Sequence, residues 1–332
     1  MSIKRFAVVG TGRMANIRTQ AFLATGKATL VGVTSSKLTN ARQFAQSFAC
    51  QTYFDSYSEL RACKPEAVLI EVPHRVQDEI ALWAIEAGYH TLIGGCLSAS
   101  VEGANSISRA AKEKKVIVEA GYEARYKAVW ESARRHIKTG GLGKIIAVRS
   151  IALWDAAPES WYYSQNESGG MPLTHMTYAF INPIRWLFGE PLYVSAFANQ
   201  LKQTAEGKVD EETCSVNMLF KNDVLCNMIA GFVKSGESSD WMLTVLGSEG
   251  TLEIFPGEMG PGALKLYRRK EVEESFEWAP DAFQVQAQVF LDALDGDNRC
   301  RNSPEDTIGD IQVTEAIVAS AREKRTIGLG KK

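Results

Sequence analysis

Apolar and polar positions follow one rhythm in the first third of the chain and another in the remainder. Early on, short apolar runs alternate with stretches of helical period. Phe6–Val9, Ala28–Thr34, Ala67–Val72, Tyr89–Ile93 and Lys115–Val118 read as strands, and Ala67–Val72 is apolar throughout except at Glu71. Between them, Ala15–Thr25, Asn40–Phe48, Gln77–Ala87 and Val101–Lys114 read as helices, the third closed by Gly88 at the position where a left-handed backbone is wanted. Near-continuous apolar strands separated by helices of this length predict a parallel sheet covered on both faces.

After Gly121 the rhythm changes. One helix, Lys127–Lys138, ends at Gly140-Gly141, and Lys144–Trp154 then alternates as a long strand. Leu192–Asn199, Thr213–Phe220, Val224–Phe232, Trp241–Gly247, Thr251–Phe255 and Ala263–Tyr267 follow as strands without intervening helices. Lys221-Asn222-Asp223 and Ser248-Glu249-Gly250 suit hairpin turns. Two helices close the pattern, Phe283–Leu294 and Glu305–Glu323, the second with Ser303 as its cap and Pro304 at its first position. The expected architecture is an α/β dinucleotide-binding domain over residues 1–121 and an α+β domain over 122–332. The second domain carries a large open antiparallel sheet with helices on one face.

Composition narrows the function without selecting it. A chain of 332 residues is long enough for two cores, and a net charge of −2 argues against nucleic-acid or membrane-surface partners. No apolar run approaches the roughly 20 residues of a membrane span, and a strand beginning at Phe6 leaves no room for a signal peptide. The six cysteines show neither C-x-x-C nor histidine-paired spacing, so no metal site or disulfide framework is expected. A reduced, cytoplasmic setting fits best.

The chemistry begins at the first strand, which runs into Gly10-Thr11-Gly12-Arg13-Met14-Ala15. In this G-x-G-x-x-A spacing the first glycine allows a tight turn and the second lets the backbone approach a pyrophosphate. The small third residue lets helix and strand pack closely. Helix amides then face the phosphates.

With that turn, Val72-Pro73-His74, Ala87-Gly88-Tyr89-His90, Gly121 to Tyr126, Gly140 to Ile145, Ser160-Trp161-Tyr162, Ser168-Gly169-Gly170, Arg185 to Pro191 and Gly247 to Leu252 occur in order. So arranged, the chain resembles the Gfo/Idh/MocA family of NAD(P)-dependent oxidoreductases nearly end to end. The resemblance implies a Rossmann domain followed by a substrate-binding and oligomerisation domain. It implies cofactor contacts at Gly10, Thr11, Gly12, Arg13, Met14, Val72, Pro73, His74, Gly94, Gly95, Trp161 and Tyr162.

The chain also departs from that pattern. Family enzymes usually carry Glu-Lys-Pro at the end of the fifth strand, the lysine beside the nicotinamide; here the positions hold Gly94, Gly95 and Cys96. An aspartate and a histidine usual in the second domain are matched by His175 and Ala179. His175 is then the candidate proton donor or base, since imidazole titrates near operating pH, or else a helix histidine bonded locally. Tyr178 lies about one turn on, as a second donor or a packing residue. Tyr122 and Arg125 follow the last strand of the first domain; the arginine suits a substrate carboxylate or phosphate, or an ion pair. Cys96 reads as a small buried residue. Trp154, Trp161, Tyr162 and Tyr163 form an aromatic stretch that would wall a ring-bearing substrate or simply pack.

Cofactor preference is read at the second strand, which ends in Ser35-Ser36-Lys37 without the acid that binds a ribose 2′-hydroxyl. This favours NADP(H) over NAD(H), unless these residues are only a polar loop. The expected activity is hydride transfer to a carbonyl, imine or conjugated C=C of a cyclic small metabolite. The alternative is a catalytically silent nucleotide-binding regulator. An exposed sheet face predicts a homodimer or homotetramer.

Overall fold

Six parallel strands in the order β3-β2-β1-β4-β5-β6 form the first sheet. They are β1 (Lys4–Val9), β2 (Ala28–Thr34), β3 (Tyr53–Phe54), β4 (Ala67–Ile70), β5 (His90–Gly94) and β6 (Val118–Gly121). Helices α1 (Arg13–Ala24), α2 (Leu38–Ser47), α3 (His74–Glu86) and α4 (Val101–Lys114) connect them. The computed structural model describes residues 3–153, 159–170, 180–201, 204–231, 241–257, 260, 262–268, 271–275, 279, 281–297 and 299–330. The chain runs outward from β1 through β2 to β3, then returns to β4 on the other side of β1, which makes the β1/β4 edge a topological switch point. Strand β6 begins at Val118, where the sequence pattern ended it, because α4 extends to Lys114 and Lys115 closes it in a left-handed conformation at φ 56°. The short β3 had no signal in the pattern.

The second compact unit holds α5 (Ala128–Lys138), β7 (Ile145–Leu153), α6 (Gln165–Ser168) and α7 (Asn182–Phe188). Strands β8 (Pro191–Asn199), β9 (Thr213–Phe220), β10 (Leu225–Gly231), β11 (Trp241–Gly247), β12 (Thr251–Phe255), β13 (Ala263–Arg268) and β14 (Glu271–Ser275) follow, with β15 (Ile327–Gly328) near the end. These strands and β7 form one nine-stranded sheet. It is mixed rather than wholly antiparallel: β7 and β10 pair in parallel, Leu225 opposite Ala147 through Gly231 opposite Leu153. A long connection separates them in sequence, and no hairpin links them. One face of the sheet is buried: Val148, Val194, Val216, Met228, Leu243 and Leu252 join Trp130 and Ala133 of α5, Ile184 of α7 and Ile317 in one apolar core.

Two more helices complete the chain, α8 (Ala282–Leu294) and α9 (Pro304–Glu323). The compact units divide after Glu123, and Phe283–Ile308 belongs with the first. The apolar face of α8 explains this grouping. Phe6 of β1, Phe22 of α1 and Phe290 of α8 stack in series, with ring centroids 5.2 and 5.9 Å apart, and Ala287 and Leu291 extend the same cluster.

Candidate nucleotide site and its surroundings

The site of the first unit lies at the carboxyl ends of β1, β4 and β5. Gly10 leaves β1 at φ 107°, and its amide donates to the Thr34 carbonyl at 2.9 Å. A Cβ here would fall on the Glu71 carbonyl, so the turn closes at this point only with glycine. Gly12 caps α1 in extended backbone, and no atom lies within 4 Å of where its Cβ would stand. Gly12 has no side chain with which to cap α1, whose first turn has no acid, while Ala15 packs at 1 % exposure. Open space above Gly12 and a helix start without an acidic side chain are what a pyrophosphate requires, so these residues fit a dinucleotide. Arg13 is exposed and Met14 half-buried at the mouth of the same turn.

Beside the turn, the Thr11 hydroxyl lies 3.4 Å from that of Ser35. Ser36 and Lys37 are exposed, and Lys37 sits at the N-cap of α2, whose first turn also has no acidic residue. On the β4 side, Val72 and Pro73 are half-buried and Pro73 caps α3. His74 turns inward: it is 3 % exposed, with Nε2 3.4 Å from the Cys96 sulfur. Cys96 is buried, and the Gln77 amide donates to its carbonyl at 2.6 Å.

The β5 end departs furthest from the family pattern. Gly95 has φ 71°, so the backbone where a lysine would stand has itself taken a form that suits glycine. Gly94 is filled from a neighbouring strand: a Cβ there would fall on the carboxylate of Glu71, the residue that follows β4. Glu71 pairs with the Arg18 guanidinium through Nε, and both side chains are nearly buried. Arg18 also donates to Gln286 at 2.6 Å and to the Gly121 carbonyl, and its guanidinium lies 5.0 Å from the centre of the Phe283 ring. Burial pushes the Glu71 carboxyl above its ordinary range, against the pull of Arg18. Neither Arg18 nor Glu71 was among the sequence candidates. The available signal was the one charge at the end of an otherwise apolar strand.

The remaining candidates follow β6 or belong to the second unit. Tyr122 is buried, and its carbonyl accepts from Asn302 at 2.7 Å. Arg125 is buried in the second unit, where Nη2 donates to the Asn182 carbonyl at 3.1 Å and Asp310 is its electrostatic neighbour. Trp161 and Tyr162 are half-buried in a 3₁₀ turn capped by Ser160, their ring centroids 4.3 Å apart; Tyr163 is fully buried. His175, Tyr178, Ala179 and Trp154 lie outside the described residues. Among the described residues, no three His, Cys, Asp or Glu side chains are placed to hold a metal ion, and no helix is long and apolar enough to cross a membrane.

Comparison with known proteins agrees with this geometry. Residues 4–122 match the oxidoreductase family NAD-binding Rossmann fold, and residues 134–329 match the C-terminal alpha/beta domain of the same family. D-glucoside 3-dehydrogenase of Escherichia coli (strain K12) is 24% identical over 208 residues, spanning 61% of this chain and 59% of that protein. Inositol 2-dehydrogenase of Rhizobium meliloti (strain 1021) is 22% identical over 98% of this chain and 99% of its own. A solved levoglucosan dehydrogenase in complex with NADH and levoglucosan superposes with a TM-score of 0.90 at 19% identity, covering 99% of this chain and 100% of that one. The chain is therefore an oxidoreductase of the Gfo/Idh/MocA family, with an NAD-binding Rossmann domain and the family's C-terminal alpha/beta domain.

Proposed function

We propose that this protein is an NADP(H)-dependent oxidoreductase that transfers hydride to a carbonyl, imine or conjugated C=C of a cyclic, sugar- or cyclitol-like metabolite. The observation that carries the reading is the glycine-capped, acid-free start of α1 behind the Gly10–Gly12 turn at the switch point. The dehydrogenases of a glucoside and an inositol among its relatives support the substrate class. When bound, the nicotinamide supplies the hydride. The Gly10, Thr11 and Gly12 backbone and the α1 amides hold the pyrophosphate, and Val72, Pro73, Gly94 and Gly95 border the nicotinamide half. His175 supplies the proton, with Tyr178 as its neighbour, because no lysine stands at position 95. Trp161 and Tyr162 present aromatic surface to a ring.

Preference for NADP(H) rests on the missing acid after β2 and on Ser35, Ser36 and Lys37 at the uncapped start of α2. Lys37→Glu should weaken NADPH relative to NADH by roughly tenfold, the size of one charge-assisted contact. Equal change for both would remove the preference. The reaction is tested with NADPH and NADH deuterated at C4 on either face, offered with a panel of cyclic ketones, sugars and cyclitols. A product gaining one deuterium is the expected result, abolished in His175→Ala. No labelled product from any class, with the nucleotide bound, would overturn the reading and leave a nucleotide-binding regulator.

We further propose that the protein is a homodimer or homotetramer assembled through the face of the nine-stranded sheet opposite its core, which the described residues leave uncovered. Leu246, Ala147, Leu225, Leu219 and Tyr193 face one another across five strands there, and Tyr193, Phe197 and Leu225 are each more than half exposed. Sedimentation of Leu225→Lys as a smaller species than the unaltered chain is the expected outcome. A monomeric unaltered chain at micromolar concentration would overturn it.

A further inference from the structure

We infer that Glu71 is a cofactor-positioning residue: held by Arg18 in the volume that a side chain at position 94 would fill, its carboxylate accepts from the hydroxyls of the ribose next to the nicotinamide. The inference deepens the nucleotide reading above and rests on it.

The first support is location. Glu71 follows β4 directly, its amide donates to the Val9 carbonyl at 2.8 Å, and its own carbonyl is the atom that a Cβ at Gly10 would strike. It is thus fixed between the phosphate turn of β1 and the end of β5. A dinucleotide whose pyrophosphate lies over that turn extends its adenosine half toward β2 and its other half over β4 and β5. A carboxylate on the β4 and β5 side therefore faces the second ribose, whose two hydroxyls are donors.

The second support is the cost of the arrangement. Burying an ion pair stabilises a fold little, because desolvation offsets the attraction, and apolar residues of like volume do as well or better. Yet two strand ends carry glycines at this pair. A Cβ at Gly94 would meet the Glu71 carboxylate, and one at Gly121 would meet Arg18 Nη2 at 2.7 Å. The Arg18 guanidinium is fixed by Nη1 to Gln286 and Nη2 to the Gly121 carbonyl, and its Nε lies against Glu71 Oε1 as an ion pair, which restrains the carboxylate. Its side chain keeps 8% of its surface exposed at the edge where the strands end. The family pattern has a glutamate at position 94. This chain brings a carboxylate from the adjacent strand into the volume that a side chain at 94 would enter first, which leaves room only for glycine there.

The test measures binding rather than turnover. NADPH and NADH are titrated against the protein beside 2′,5′-ADP and 5′-AMP, which lack the nicotinamide ribose. The double variant Arg18→Gln/Glu71→Gln removes both charges together and leaves no buried ion alone. It should lose roughly tenfold or more in affinity for the whole dinucleotides, as expected for one charge-assisted hydrogen bond, and nothing for the fragments. The relocated variant Glu71→Ala/Gly94→Glu should recover most of that loss. A merely structural pair would move whole and fragment affinities together with the unfolding temperature; that result, or no change at all, overturns the inference. If the double variant does not fold, Gly94→Ala gives the same readout, since its methyl displaces the carboxylate. An unaltered chain that binds neither dinucleotide would overturn the function reading first, and this inference with it.

Discussion

Two buried arginines, one in each unit, solve the same problem in opposite surroundings. Arg18 meets Glu71 at the carboxyl edge of the parallel sheet, where the Glu71 side chain keeps 8% of its surface exposed. Arg185 meets Asp310, which is wholly buried, and holds Glu190 through Nε at 2.8 Å and through Nη2. Asn182 donates to the second Asp310 oxygen at 2.8 Å, and Arg125 adds another positive charge nearby. Both sites need glycine: the Arg185 guanidinium lies where a Cβ of Gly309 would be, as Glu71 does for Gly94. The difference lies in what surrounds the pair. Asp310 is tied by Arg185 and Asn182 from α7, so its network joins α7 to α9 and ends inside the core. Glu71 ends at the strand edge where the inference above places a ribose. Similar chemistry thus serves packing in one place and presentation in the other.

The sharpest way to break this comparison is to remove Arg185. Arg185→Met strands Asp310 without its main partner and should lower unfolding stability by about 3–5 kcal/mol in urea titrations, with nucleotide affinity unchanged wherever the chain still folds. A loss of nucleotide affinity at constant stability would show that the two networks do not divide as described. Next in size, the glycines can be compared directly. Gly94→Ala and Gly309→Ala should each cost about 1–3 kcal/mol by overpacking. Only Gly94→Ala should be relieved by a second change at its carboxylate, so Glu71→Ala/Gly94→Ala should be non-additive by at least about 0.5 kcal/mol. Additive values would mean that Gly94 is constrained by something other than Glu71.

The smallest effect concerns the dry core of the second unit. Burial pushes the Cys226 thiol up to about 12 from 9.0, and burial, then Glu211, pushes Cys214 up as well. A thiol raised in the folded state keeps its proton there while the unfolded chain gives its own up. The contribution of Cys226 is therefore complete below pH 9 and shrinks as pH rises toward 12, by about 1.4 kcal/mol per pH unit. Stability measured from pH 8 to 10 should fall less steeply in Cys226→Ala than in the unaltered chain. Identical slopes would place the alkaline loss elsewhere.

The fold was legible because each half has a strong local period. Near-continuous apolar strands separated by helices lead to one sheet topology, and the hairpin turns at Asn222 and Gly250 lead to the other. Periodicity could not reveal that β7 pairs in parallel with β10, since pairing between distant strands leaves no local mark. It also could not say where α8 packs: Phe283, Ala287 and Phe290 state that a face is buried, not against what. At the site, the Gly10–Gly12 turn was legible because its chemistry is backbone chemistry at fixed spacing. Glu71 was visible only as an oddity, a charge closing an apolar strand. Its meaning required knowing that β4 and β5 lie side by side, which brings positions 71 and 94 into the same volume. His74 shows what spacing leaves out, since Val72-Pro73-His74 suggests a ligand contact and says nothing of the buried Cys96 sulfur beside its ring.

The grouping of Phe283–Ile308 with the first unit bears on how the protein is made. Arg18 takes an acceptor from Gln286, the Ala120 amide donates to the Asn302 carbonyl at 3.0 Å, and Phe22 rests on Phe290. On a ribosome, the residues that finish this half emerge only after all of Ala124–Ala282 has been synthesised. At roughly 5–20 residues per second, the early strands wait about ten to thirty seconds for their last layer. During that interval the apolar surface of α1 and the arginine beneath it lack their final cover. Chaperone occupancy of nascent chains should accordingly persist past Glu123 and end only once Ile308 has cleared the exit tunnel.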